Sequence, residues 1–168
     1  MAIKMILVFE DKEEERVKAL SALKQAFAPD EEELTRFDPI KGCEQVGFGV
    51  SKIMVMFAND FEWARNRLEF AKRFVGSESI SPAVITDLMF PMKTGDKEEP
   101  NGMRVLAECI TMGLPVVMCS DTDHHDVNYL MEVFPILAKA HPKEEIPLIF
   151  DKKDWSKAVS ELRRICGW

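Results

Sequence analysis

Long apolar runs, paired cysteines and clustered basic residues are all scarce in this sequence, and each scarcity excludes a class of protein. No apolar run is long enough to cross a bilayer, which argues against a membrane protein. The four cysteines form no Cys-x-x-Cys pair, so the sequence indicates neither a zinc site nor a disulfide framework. A net charge of -7 without a dense Lys/Arg cluster argues against a nucleic-acid partner.

The length and composition of the chain are typical of one globular domain. It has 168 residues, of which 46% are hydrophobic and 30% are charged. We therefore predict a single domain over residues 1–168. The start MAIKMILVFED soon reaches charged residues and lacks a cleavage-site pattern, so we expect no signal peptide and a cytoplasmic location.

Five short apolar runs recur along the chain and predict its fold. They cover residues 4–9, 52–57, 83–86, 114–119 and 146–150, and amphipathic helical patterns follow them. Parallel strands need crossover connections, and right-handed crossovers place helices on both faces of a sheet. The pattern predicts a doubly wound α/β fold with a five-stranded parallel sheet. In such folds the functional groups lie beyond the carboxyl ends of the strands.

The helical patterns also predict a buried stripe and several helix ends. Asn59 or Asp60 is available to cap the second helix, and Gly113 can end the third. On the first helix we expect one face to be buried, formed by Val17, Leu20, Leu23 and Phe27.

Three segments exceed what a minimal fold of this kind needs, and we interpret them as insertions. Residues 28–51 are rich in glycine and proline and predict an irregular connection, with a short strand or turn of its own. Residues 93–101, KTGDKEEPN, are polar and separate the third strand from its helix. Residues 121–147 contain a helical pattern that Pro135 ends or kinks.

Polar residues follow four of the five predicted strands. They are Glu10, Asp11, Asp87, Ser120 and either Lys152 or Lys153. If the first strand lies between the second and the third, these side chains converge on one crevice. Three carboxylates there would repel one another, and Mg²⁺ with its preference for oxygen ligands would relieve the repulsion. A hydroxyl and an ammonium group opposite suit a phosphoryl group, so the pattern favours phosphoryl transfer to a carboxylate.

Four motifs resemble those of the receiver domains of two-component response regulators. They are VFED at 8–11, DLMFPMKTG at 87–95, VVMCS at 116–120 and IFDKK at 149–153. The resemblance spans nearly the whole chain and implies a five-stranded flavodoxin-like fold. It also implies that Mg²⁺ is bound by Glu10, Asp11, Asp87 and the backbone carbonyl of Met89.

The same resemblance assigns roles to the acceptor, the hydroxyl and the lysine. Asp87 is the implied phosphoryl acceptor, Ser120 senses the phosphoryl group, and the lysine holds it. No proline follows the lysine, where the family has a Lys-Pro pair, and the span from Asp11 to Asp87 is longer than usual. We prefer Lys152 to Lys153 because it keeps the preceding residues in the strand. Gly95 and Gly102 are the two candidates for the glycine of the acceptor loop.

The resemblance leaves more than one function open. The leading prediction is a stand-alone receiver that takes its phosphoryl group from a sensor histidine kinase or a phosphotransfer protein. It would signal through contact with a downstream protein partner, and its chemistry would be limited to its own phosphorylation and dephosphorylation. The alternative is a pseudo-receiver, a protein-interaction module that is not phosphorylated. A phosphatase of the haloacid dehalogenase type is disfavoured because Met89 stands where that chemistry needs a second Asp.

Two local features have simpler explanations. Glu10 and Asp11 also suit the N-terminus of the first helix through its dipole. His124 and His125 lie in a polar segment without anchored partners, so we expect a solvated loop or a partner surface there rather than zinc.

Overall fold

A computed structural model describes residues 2–36, 44–121, 133, 145–150 and 152–168 of the chain. The strands are β1 (Ile3–Phe9), β2 (Leu34–Arg36), β3 (Gln45–Phe48), β4 (Ile53–Ala58), β5 (Ile80–Thr86), β6 (Phe90–Pro91), β7 (Glu98–Glu99), β8 (Val116–Cys119) and β9 (Leu148–Ile149). The helices are α1 (Glu13–Phe27), α2 (Phe61–Lys72), α3 (Asn101–Met112) and α4 (Trp155–Cys166).

Seven of these strands form one sheet, in the order β2-β3-β4-β1-β5-β8-β9. The five strands from β4 to β9 in that order pair in parallel, whereas β2 and β3 join the edge at β4 in antiparallel pairing. The prediction of five strands was therefore too low, because the segment 28–51 contributes two strands of its own. Residues 37–43, which connect those two strands, lie outside the described part.

Helices cover both faces of the sheet, and successive residues of β1 show why. Met5 and Leu7 pack in a core with α2 and α3, whereas Ile6 and Val8 pack in a second core with α1 and α4. A strand whose side chains are buried on both faces reads as a continuous apolar run, as β1 does from Met5 to Phe9. The predicted α/β class, with a mostly parallel sheet between helices, is confirmed.

The ends of α2 and α3 follow the sequence signals. The Asp60 side chain accepts a hydrogen bond from Trp63 N at 2.9 Å and caps α2. Gly113 ends α3 in the left-handed conformation, with a φ of 69°. The stripe predicted on α1 was partly wrong, because Val17 is 63% exposed and Arg16 takes the buried place beside it.

Much of the third predicted insertion cannot be compared with the structure. The helical pattern before Pro135, together with His124 and His125, lies outside the described residues. Within the described part, no helix combines the length and the apolar character needed to span a membrane.

Candidate functional site

The carboxyl ends of β1 and β5 place two acidic residues side by side at one edge of the sheet. Asp87 N donates a hydrogen bond to the Phe9 carbonyl at 2.9 Å, and Glu10 N donates one to the Ala58 carbonyl at 3.0 Å. These bonds extend the ladder one residue beyond the strands. They fix where both side chains leave the backbone, and the position of β1 between β4 and β5 matches the order expected from the sequence.

Three carboxylates meet at this edge. One oxygen each from Glu10, Asp11 and Asp87 lies within 4.8 Å of the other two. Glu10 and Asp87 are only 0% and 1% exposed, and Asp11 is half-buried. The structure thus brings together the three acids that the sequence places at strand ends. We call these three residues the carboxylate pocket.

A lysine lies between two of these acids, but it is not the lysine that we preferred. Lys153 Nζ donates to Glu10 Oε2 at 2.7 Å and to Asp87 Oδ2 at 2.8 Å, and its side chain is 4% exposed. Lys152 is exposed. The preference for Lys152 was therefore wrong as a placement, and Lys153 is the lysine of the site.

The length of β9 explains the error. The prediction assumed a strand over residues 146–150, whereas β9 covers only Leu148 and Ile149. The chain therefore leaves the sheet earlier than expected, and Lys153 lies just before Asp154, the N-cap of α4. Its ammonium group is drawn to the two buried carboxylates, which are its strongest available partners.

The charges in the pocket alter one another's protonation. Burial raises the pKa of Glu10 to about 8, and the neighbouring charge of Asp87 adds to the rise. Burial also raises the pKa of Asp87, although Lys153 acts in the opposite direction. Burial alone would lower the pKa of Lys153, but Asp87 and Glu10 hold it above its ordinary value. Lys153 therefore stays charged at neutral pH, whereas the raised pKa of each buried carboxyl group favours its protonation when no cation is bound.

Ser120 completes the crevice from β8. Its backbone N donates to the Ile149 carbonyl at 2.9 Å, which holds it at the end of the sheet. The residue is fully buried, and its hydroxyl donates to the Asp87 carboxylate, which opposes the rise in the pKa of that group. The predicted hydroxyl thus lies beside the predicted acceptor.

Arg16 is a residue of the site that the sequence analysis missed. Its buried side chain donates to the Glu10 carbonyl at 3.0 Å and to the Asp11 carbonyl at 2.6 Å. The guanidinium group therefore holds the turn that carries both acids. The sequence signal for this role is an arginine in the first turns of a helix that starts next to an acidic pair. The apolar pattern predicted instead that Val17 is the buried residue there.

The loop after Asp87 is held by the start of α3. Leu88 N donates to Asp87 Oδ1 at 2.6 Å, and Gly102 N donates to the Leu88 carbonyl at 3.0 Å. A Cβ at Gly102 would lie 2.1 Å from the Asp87 carbonyl oxygen, so only glycine fits there. Of the two candidate glycines, Gly102 is therefore the one that contacts the acceptor loop. Met89 lies in this loop with its side chain packed against the core, and ligation by its carbonyl stays a prediction.

The donor set of the pocket fits a divalent cation that prefers oxygen. Asp11 Oδ1 is buried and accepts no hydrogen bond from any residue that the structure describes. Such an oxygen is costly unless a ligand completes it. Three carboxylates against one ammonium group also leave the pocket with excess negative charge. Glu10, Asp11 and Asp87 are thus suited to hold Mg²⁺, which takes oxygen ligands and keeps several waters.

Comparison with known proteins adds no family assignment. The chain matches no protein-family model, and it has no significant match among curated proteins or among solved structures. What the site does must therefore be argued from its own residues. They offer a buried carboxylate as nucleophile, a hydroxyl donor and an ammonium group within one cation-binding crevice.

Proposed function

We propose that this chain is a phosphoryl-accepting signalling domain of the receiver type, in which Asp87 accepts the group in a Mg²⁺-dependent reaction. The observation that carries the proposal is the surroundings of Asp87. Its carboxylate lies among two further carboxylates, the Ser120 hydroxyl and the Lys153 ammonium group. A phosphoryl acceptor needs these groups around it.

The fold supports the same proposal. The five parallel strands follow the order β4-β1-β5-β8-β9, which corresponds to the flavodoxin-like order 2-1-3-4-5. In that arrangement, ligands bind beyond the carboxyl ends of the strands beside the first strand. Glu10 and Asp87 occupy those positions on β1 and β5.

The transfer itself needs an ionised Asp87. A carboxylate oxygen of Asp87 attacks the phosphorus atom of a donor, the new P–O bond forms, and the bond from phosphorus to the leaving group breaks. The leaving group departs with the electron pair. Lys153 opposes the rise in the pKa of Asp87 before attack and then pairs with the phosphoryl oxygens, and Ser120 donates a hydrogen bond to them. Mg²⁺ bound by Glu10, Asp11 and Asp87 would supply positive charge that offsets the charge of the transferring group.

The partners follow from this chemistry. The donor would be a sensor histidine kinase or a phosphotransfer protein, both of which carry a labile phosphoryl group. The output would be contact with a downstream protein, since a net charge of -7 disfavours nucleic acid.

One observation favours a second candidate, a pseudo-receiver that binds partners without phosphorylation. Lys153 bonds to Glu10 and to Asp87 and so closes part of the pocket, and the raised pKa of Glu10 favours a protonated, metal-free state. A cation has to displace that proton. If it cannot do so, the domain keeps the receiver fold as a binding module only.

The deciding experiment is the intact mass of the protein after incubation with acetyl phosphate. We expect one phosphoryl adduct that forms with Mg²⁺, is absent with EDTA, and is absent in Asp87→Asn. Glu99→Gln, at an exposed position outside the three acids of the carboxylate pocket, serves as the control and should form the adduct. An adduct of equal yield in Asp87→Asn would contradict the proposal, and no adduct in any protein would favour the pseudo-receiver.

A further inference from the structure

Lys153 reaches the carboxylate pocket from a segment that no strand holds. β9 ends at Ile149, and α4 begins at Trp155 with Asp154 as its N-cap. A lysine side chain is long and flexible, and it gives up much conformational freedom when it is fixed in one geometry. Contacts beyond its two carboxylate partners therefore decide how firmly the ammonium group is held beside the acceptor.

The first residue of α4 supplies such a contact. Lys153 Nζ lies over the ring of Trp155, 5.9 Å from its centroid. An indole ring is the best aromatic partner for a cation at this range, and the attraction is larger where water is excluded. Trp155 is 4% exposed, and so is the side chain of Lys153. The pair is thus shielded from water.

The indole ring of Trp155 is itself fixed by α1. Its Nε1 donates a hydrogen bond to Glu15 Oε2 at 2.8 Å, while Glu15 Oε1 accepts one from Lys18. A hydrogen bond to a carboxylate is stronger than one between neutral groups. The ring also belongs to the core that α1 and α4 form against the sheet. Its face is therefore a fixed surface beside the lysine.

Trp63 forms a comparable pair elsewhere in the molecule. The guanidinium carbon of Arg67 lies 5.9 Å from the centroid of the Trp63 ring, and both residues belong to α2. This pair has the same separation but contains none of the groups that surround Asp87. Trp63 is thus a matched control for Trp155.

We infer that Trp155 is a positioning residue for Lys153, and that its ring face holds the ammonium group where a phosphoryl group on Asp87 would meet it. The inference rests on the proposed function, because it assigns the lysine to the transferred group. An ammonium group has three N–H donors, of which two bond to Glu10 and Asp87. The ring can therefore hold the lysine while those bonds are exchanged for bonds to phosphoryl oxygens.

The expected effects depend on the ring face. Trp155→Leu removes the ring and should slow phosphorylation by acetyl phosphate at saturating Mg²⁺ by about fivefold, the size of a shielded cation–π contact. Trp155→Phe keeps a ring but loses the N–H group, so it should slow the reaction by only about twofold. Trp63→Leu should match the wild type within about 1.5-fold, because sites without shared partners act independently.

A second background separates positioning from packing. If Trp155 acts through the ammonium group, Trp155→Leu should slow the reaction no further in a chain that already carries Lys153→Gln. A role in packing alone would slow it by the same factor in both backgrounds. The rate is read from the intact mass at successive times, and circular dichroism shows that each variant is folded.

Glu15 allows the same test without a change in the core. Glu15→Ala leaves the indole in place but removes the acceptor of its N–H group, so it should slow phosphorylation by about twofold. Lys18→Ala loses the same contact between Glu15 and Lys18 but keeps the bond to Trp155. It is the control and should leave the rate unchanged.

The outcomes separate this inference from the proposed function. A wild-type rate in Trp155→Leu and in Glu15→Ala, or a loss that persists undiminished in the Lys153→Gln background, would overturn the inference alone. The absence of any adduct in the wild type would overturn the proposed function and this inference with it. A loss in Trp155→Leu that disappears in the Lys153→Gln background, with no loss in Trp63→Leu, is the result that we expect.

Discussion

The acidic and the basic sides of the crevice are built in different ways. On the acidic side, β1 pairs along its whole length with β5 and from Lys4 to Phe9 with β4, so the ladder fixes where it ends. On the basic side, within the part of the chain that the structure describes, β9 pairs with β8 alone and over Leu148 and Ile149 alone. The position of Lys153 is therefore set by the loop and by its ionic partners rather than by a strand. A long, doubly paired strand makes its end predictable, and a short edge strand does not.

The largest expected effect comes from removing the Lys153 ammonium group on the basic side of the crevice. Lys153→Met leaves the buried carboxylates of Glu10 and Asp87 without a counterion and should lower the free energy of unfolding by about 3–5 kcal/mol at neutral pH without metal. Lys152→Met, at the exposed neighbour, should change it by less than about 0.5 kcal/mol. Urea denaturation of both variants measures the difference.

A second variant keeps that prediction testable. Adding Glu10→Gln to Lys153→Met removes one of the two buried acids that have lost their cationic partner and should recover part of the lost stability. A larger loss in Lys152→Met than in Lys153→Met would show that the wrong lysine has been placed in the site.

The acidic side of the crevice can be disturbed at Gly102, which packs closely against the backbone carbonyl of Asp87. A methyl group in Gly102→Ala would lie 2.1 Å from the Asp87 carbonyl oxygen, so the acceptor loop or α3 must move. We expect a loss of about 3 kcal/mol in thermal or urea unfolding. Gly76→Ala is the control, since no atom lies within 4 Å of its Cβ and only the positive φ of 77° opposes it, at about 1–2 kcal/mol. Equal losses of stability in Gly102→Ala and Gly76→Ala would contradict the close contact between Gly102 and the Asp87 carbonyl.

Removal of the N-caps of α2 and α4 should also lower the free energy of unfolding by different amounts. Asp60 caps α2 and accepts a hydrogen bond from Thr94 in the loop between β6 and β7, whereas among the described residues Asp154 caps α4 through Lys157 N. Asp60→Ala should cost about 2 kcal/mol and Asp154→Ala about 1 kcal/mol. A double mutant of Asp60→Ala with Thr94→Ala should cost little more than Asp60→Ala. If the losses of stability in Asp60→Ala and Thr94→Ala add fully in the double mutant, the hydrogen bond between these two residues is contradicted.

The last expected effect is a dependence of stability on pH. The pKa of Glu10 rises from 4.5 to about 8 in the folded protein, because of burial and of Asp87. The folded protein therefore holds a proton that the unfolded chain releases. This contribution to stability is fully present below about pH 4.5 and is lost as the pH rises through about 8.

Glu10→Gln cannot titrate, so it should flatten that decline. Urea denaturation in EDTA at several values between about pH 5 and 9 measures the slope. Glu14→Gln, at an exposed position on α1, is the control and should leave the slope unchanged. An unchanged slope in Glu10→Gln would mean that its carboxyl group ionises normally.

These comparisons also show which parts of the site were predictable. Glu10 and Asp87 could be found because each directly follows one of the short apolar runs, and such runs are buried in a parallel sheet. Ser120 follows β8 by the same logic. The α/β class followed from the repetition of these runs.

The residues that were missed depend on contacts that no periodic pattern reveals. Arg16 bonds to the backbone of the turn between β1 and α1. The choice of Lys153 depends on where a two-residue strand ends. Such features follow from tertiary packing, which local sequence does not encode.

The central claim is that Asp87 accepts a phosphoryl group, and the most direct test is to locate that group chemically. The protein is incubated with acetyl phosphate and Mg²⁺ and then treated with borohydride, which reduces an aspartyl phosphate to homoserine. Peptide mass spectrometry should find homoserine at position 87 in the presence of Mg²⁺ and aspartate there in EDTA. Homoserine at another acidic residue, with position 87 unchanged, would contradict the account.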